Sequence, residues 1–221
     1  KINTTGLDMP DIFPSTVYDE IQKNFIAKKK DEEKWKEHGI AWNAISYRYL
    51  SLKKYNDDYV ASITKYGGSP LPEIRVEQEE LIFNFFTTGF SLLDIIGYGI
   101  YAICSEIDTS NFPLTNDIKP NINICMVKDK LVAYFTNEDI TTSLKTLIES
   151  DEYKEWKDIR NILAHRGQPP RAHYAGGEKD GKSEWINGMV LNTETLSKKL
   201  NWIDKTLVFL MEDIKKLSEK L

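Results

Sequence analysis

Cysteine, histidine and surplus positive charge are all scarce in this chain. Its two cysteines, Cys104 and Cys125, lie far apart in 221 residues. They have no metal-ligand spacing and are too few for a disulfide scaffold, which excludes a zinc module and a small stapled domain. A reducing cytoplasm is the expected compartment. Only three histidines occur, and they form no metal-binding pattern, so neither a metal nor a cofactor is expected. The chain has no Walker loop, no dinucleotide fingerprint and no internal repeat, which sets aside P-loop enzymes, Rossmann dehydrogenases and solenoids. No basic segment followed by an apolar run and a small-residue cleavage site opens it. With a net charge of -5 and a pI near 5.4 it lacks long-range attraction for polyanions. Any nucleic-acid site must therefore be local and salt-sensitive.

What the chain does have is helical periodicity. Apolar residues make up 41% and charged ones 29%, the balance of a globular protein with one good core. Residues 1–14, with two prolines and a glycine, read as an extended arm. The remainder, 15–221, reads as one domain. Thr16 with Asp19 predicts a capped helix start running to about Glu37, with Gly39 breaking or bending it. Trp42, Ile45, Tyr49, Leu52, Tyr59, Ile63 and Tyr66 then mark one helical face, ended by Gly67-Gly68-Ser69-Pro70. The tyrosines among them, with Tyr47 and Tyr55, read as core and interface residues rather than base-stacking platforms.

Residues 76–107 form the most apolar helix, with Asp94 the only charge between Leu81 and Ser105. Asp94 and the polar residues around it favour the central helix of a bundle over a membrane span. Residues 108–135 read as a loop insertion, with a short hairpin over Ile122–Phe135. Thr136 and Asp139 predict a second capped start, for a helix to about Ser150. A further helix follows from about Tyr153 to Arg166, stopped by Gly167, Pro169 and Pro170. Residues 167–191, with five glycines, read as a second, mobile insertion. Leu196, Leu200, Ile203, Leu207, Leu210, Ile214, Leu217 and Leu221 alternate by four and three, a seam suited to near-parallel helix packing. The expected fold is thus all-α, an up-and-down bundle of four to five long helices with irregular loop insertions.

The chemistry concentrates in Arg160-Asn161-Ile162-Leu163-Ala164-His165. From Ile159 to His173 the chain carries Arg160, Arg166, Arg171, His165 and His173 without one carboxylate, a basic island in an acidic protein. A histidine, with an ordinary pKa of about 6.5, can take a proton from a 2′-hydroxyl as it attacks phosphorus. The fixed fork of an arginine can hold the phosphate oxygens as charge builds on them. On an ideal helix, however, five residues turn the chain so that His165 sits roughly 140° round from Arg160. A helix that ends there, or a second copy across a two-fold axis, repairs this.

Arg160, Asn161 and His165 together resemble the Arg-polar-x-x-x-His signature of the HEPN superfamily, named for higher eukaryote and prokaryote nucleotide-binding domains. The resemblance implies a HEPN-like bundle acting as a homodimer, with two motif copies lining one cleft. It further implies metal-independent endoribonuclease activity, leaving a 2′,3′-cyclic phosphate and a 5′-hydroxyl. Asn161 would orient the imidazole or donate to the phosphate. Arg166 and Arg171 are expected to bind RNA backbone at the rim. An RNA substrate and an antitoxin or other protein partner, in toxin-antitoxin or defence settings, are the partners implied, with no membrane role.

Blander readings stand beside this. Arg160 and His165 can simply complement a helix end. The bundle can be a silent dimer that binds RNA, a nucleotide or a protein, or a scaffold whose Leu196–Leu221 seam is the working surface. Asp94 needs a partner in so apolar a helix. It is expected either to brace Arg160 across the bundle or to bond Tyr98 or Tyr101, unless it faces a wet groove. His38, among Trp35, Glu37 and Trp42, reads as a surface or helix-end residue.

Overall fold

The structure is a computed structural model that describes residues 2–28, 31–166, 171–173, 183–185 and 190–221, with the backbone alone at 166, 171, 173 and 183–185. It is an all-α helical bundle. The helices are α1 (Ser15–Lys28), α2 (Glu32–Tyr66), α3 (Pro72–Ile107), α4 (Ile124–Tyr134), α5 (Asp139–Glu149), α6 (Asp151–Asn161) and α7 (Thr193–Ser218). Two three-residue strands, β1 (Arg171–His173) and β2 (Ser183–Trp185), pair antiparallel inside the second insertion.

The long antiparallel hairpin of α2 and α3 is the spine. Gly67 makes the turn possible: it caps α2 at φ 74°, where its N–H donates to Ile63 O. α2 runs unbroken through Gly39, so of the expected break or bend the break does not occur. Nothing crowds that glycine, and a single glycine costs a long packed helix only about 1 kcal/mol. The chain instead starts afresh at Asp31, whose carboxylate accepts from the N–H groups of Glu33 and Lys34.

α3 is long and apolar enough to cross a membrane, yet 72% of its most apolar window is buried within the protein. α2 covers one side of it, and α4, α6 and α7 the others. Along α7, Leu196, Leu200, Ile203, Leu207, Leu210, Ile214 and Leu217 are all buried, so the four-three seam is the inner face of this helix. α1 lies along its far end, where Asn24 Nδ2 donates to Ser218 Oγ at 3.0 Å and Lys215 pairs with Glu20.

Three further expectations need correction. Ile122–Phe135 is no hairpin: Asn123 caps α4 by accepting from the N–H groups of Cys125 and Met126, and Ile124, Val127 and Leu131 face the core at helical spacing. The predicted capping boxes do not form. Asp19 accepts instead from the Thr4 N–H, and Thr136 Oγ1 donates back to Val132 O. The N-terminal arm is not simply extended. It folds back through an Ile2–Asp8 bridge with Gly6 at φ 78°, and seats Met9 and Phe13 in the core. The stop at Gly167, Pro169 and Pro170 lies outside the described residues.

Candidate functional site

α6 begins where Ser150 Oγ accepts from the Tyr153 N–H, with Asp151 and Glu152 in its first turn, both favourable near a helix N-terminus. Tyr153, Trp156, Ile159 and, beyond its end, Leu163 form its buried stripe. α6 comes close to α3 because α3 has no side chain at Gly89. A Cβ there would lie 2.2 Å from Trp156 Cζ2. The Trp156 indole fills the gap, stacks on Phe85 and donates from Nε1 to Phe86 O at 2.9 Å. That anchor fixes the rotation of α6 about its axis, and with it the direction of Arg160 one turn on.

A second glycine sets the other wall. A Cβ at Gly97 would fall 2.8 Å from Ile124 Cα, so α4 can press its N-terminus onto α3 only there. One turn earlier on α3, Asp94 accepts from the Ile124 N–H at 3.2 Å. The carboxylate thus sits at the positive end of α4.

Between these walls lies a pocket of about 330 Å³, formed by Phe90 and Asp94 of α3, Asn123 and Cys125 at the start of α4, and Tyr153, Lys157 and Arg160 of α6. The Arg160 guanidinium lies 4.1 Å from the Phe90 ring centroid, a cation–π contact, and its Nε is buried without a hydrogen-bond partner among the described residues. Burial holds the Asp94 carboxyl above the usual carboxylate range, against the opposing pull of the Ile124 N–H, Arg160 and Lys157. Tyr153 OH and Cys125 Sγ touch at 3.3 Å, and burial raises the Tyr153 phenol. The pocket therefore gathers two cations around one half-buried carboxylate.

Asp94 and Arg160 accordingly share one site. The tyrosine alternative is overturned: Tyr98 donates to Glu37 Oε2 at 2.7 Å, and Tyr101 to Pro113 O at 3.0 Å. Asn161 is half-buried and His165 exposed, and neither lines the pocket. Immediately after Asn161 the chain widens into a π-helical turn over Ile162–Arg166. In such a turn each N–H reaches five residues back, so successive residues rotate by less than in an α-helix. His165 is therefore turned back toward the Arg160 side relative to the ideal helix. The side chains of Arg166 and Arg171 lie outside the described ones.

Lys157, Tyr153 and Phe90 were missed from sequence. Tyr153, Lys157 and Arg160 follow one another by four and three, a spacing that puts them on one face of α6. That signal was available for the first two. Phe90 stands four residues before Asp94 on α3, where only the apolar run was visible.

His38, expected at the surface, is fully buried. Its ring stacks between Phe25, 4.0 Å away at 3°, and Trp42, 4.9 Å away, and neither nitrogen has a hydrogen-bond partner among the described residues. Burial pushes its pKa down to about 3. Among the described residues, no three histidine, cysteine or acidic side chains come together as a metal site would require.

The class defined here is an all-α bundle with a small basic pocket between α3, α4 and α6. No family model, no curated protein and no solved structure matches this chain.

Proposed function

We propose that the chain is a metal-independent endoribonuclease of HEPN type, working as a homodimer with Arg160, Asn161 and His165 of each copy around one cleft. The observation that carries this reading is the abrupt change of setting along a single motif. Arg160 is anchored in the Asp94 pocket, while His165, five residues on, is exposed on a widened turn. In this reading Asp94 and Phe90 hold the guanidinium at the phosphate. The free imidazole removes the 2′-hydroxyl proton, the 2′-oxygen attacks the adjacent phosphorus, and the 5′-oxygen leaves with a proton from the partner copy's protonated imidazolium. The products carry a 2′,3′-cyclic phosphate and a 5′-hydroxyl.

One observation favours a second reading, a silent dimer that binds RNA, a nucleotide or a protein. The Arg160 guanidinium rests on Phe90 beside Asp94, the pose of a structural arginine. The two readings separate on one experiment, incubation of a mixed RNA pool with the protein in EDTA, followed by end-group analysis and sedimentation. Cyclic phosphate ends from a dimer support the nuclease. Intact RNA with a dimer supports the silent module.

A further inference from the structure

The flank of α6 opposite the Arg160 pocket faces α7 across an open cleft of about 430 Å³. Its floor is Trp202. This indole is half-buried and backed by Trp156, with 5.8 Å between ring centroids, and Trp156 is itself fully buried. The platform is thus held from behind while part of it stays open to solvent.

The charges around it are uneven. Lys199 is buried and committed to Glu155 across the cleft. Lys198 pairs with Glu194 one turn away, but both are well exposed, and such a pair exchanges readily for a stronger anion. Lys205 and Glu152 are exposed and have no ion-pair partner among the described residues. Lys198, Trp202 and Lys205 follow by four and three, so they share one face of α7. A flat aromatic surface therefore lies between two cations on its own helix, with the exposed Glu152 carboxylate on the facing one.

We infer that this cleft binds one nucleotide unit, with the base on Trp202, the phosphate at Lys205, and Glu152 accepting from the base's exocyclic amino group. Stacking on the open part of the indole suits every base, because each has a π-face. Lysine ammoniums hold phosphate as point charges. A carboxylate accepts from the cytosine amino group and finds no such donor on uracil, so cytosine is favoured over uracil. The cleft lies within the size range of small-ligand pockets, and Thr195 and Asn201 add neutral hydrogen-bonding groups to its lining. The unit is either a free nucleotide or part of an RNA strand. The site needs neither His165 nor a second copy, so it stands apart from the cleavage reading.

Calorimetric titration of the full chain with CMP, UMP and pentacytidylate at low ionic strength tests this. CMP is expected to bind saturably and more tightly than UMP. Trp202→Leu should weaken binding about tenfold or more and Lys205→Gln about threefold. Glu152→Gln should narrow the preference for CMP. Binding of pentacytidylate without CMP, with the same dependence on Trp202 and Lys205, identifies the strand as the source. His165→Ala should bind as the wild type does. Because Trp202 packs on the core, thermal melting of its variant runs alongside; if that variant unfolds, the exposed Lys205 carries the test. Absence of saturable binding by every probe overturns the inference. So does binding indifferent to Lys205→Gln, or binding lost in folded His165→Ala.

Discussion

His38 and His165 carry the same imidazole into opposite surroundings. His38 is sealed between Phe25 and Trp42, with no hydrogen-bond partner for either nitrogen among the described residues and a pKa pushed down to about 3. His165 stands exposed on a π-helical turn, just beyond an arginine fixed in a charged pocket. Access separates an inert ring from a usable one. The first region excludes water and spreads aromatic area over its histidine; the second ends a helix early and leaves its histidine to solvent. Neither outcome follows from residue type.

Substitutions in both regions probe this contrast. The largest effect is expected at Gly89, the contact that aims the motif helix. Gly89→Leu would drive a side chain into Trp156, which is fully buried, at a cost of about 3 kcal/mol or more in urea unfolding. Unchanged stability would mean that α6 docks by another surface.

Acid sensitivity comes next. Below about pH 6.5 the unfolded chain protonates His38, whereas the folded protein resists until about pH 3. The unfolded state thus binds more protons throughout that window, and stability falls as pH falls, by about 1.4 kcal/mol per unit from this group. His38→Phe keeps a ring in the stack and removes that contribution. Its stability should decline less steeply than wild type between those pH values. Parallel declines would show that His38 is not sealed.

Two smaller effects concern the pocket. Asp94→Asn keeps an acceptor for the Ile124 N–H but removes the charge beside Arg160. Folding should change by less than about 1 kcal/mol, while RNA cleavage falls about tenfold. Unaltered cleavage would remove the brace. Asn123→Ala deletes the α4 cap, with an expected loss of about 1 kcal/mol in thermal unfolding.

Much of the bundle was legible because its long helices repeat one signal many times. The α7 seam and the apolar run of α3 needed no tertiary information. One short element was not legible: α4 is 11 residues, and its Val, Ile and Tyr content suits a strand as well as a helix. Of the site, Arg160, Asn161, His165 and Asp94 were nameable from residue type and spacing. That Asp94 and Arg160 line one pocket depends on Gly89 and Gly97, two absences of side chain whose meaning appears only when another helix fills them. His38 was misjudged for a related reason. Its neighbours in sequence, Glu37 and Gly39, say nothing of Phe25, which arrives from α1 to close the stack.

The most direct test measures RNA cleavage in EDTA and urea stability side by side for wild type, His165→Ala and His38→Phe. The account predicts that His165→Ala loses cleavage by about a hundredfold or more with stability within about 0.5 kcal/mol, and that His38→Phe still cleaves. Cleavage that survives His165→Ala, or that vanishes in a folded His38→Phe protein, would contradict it.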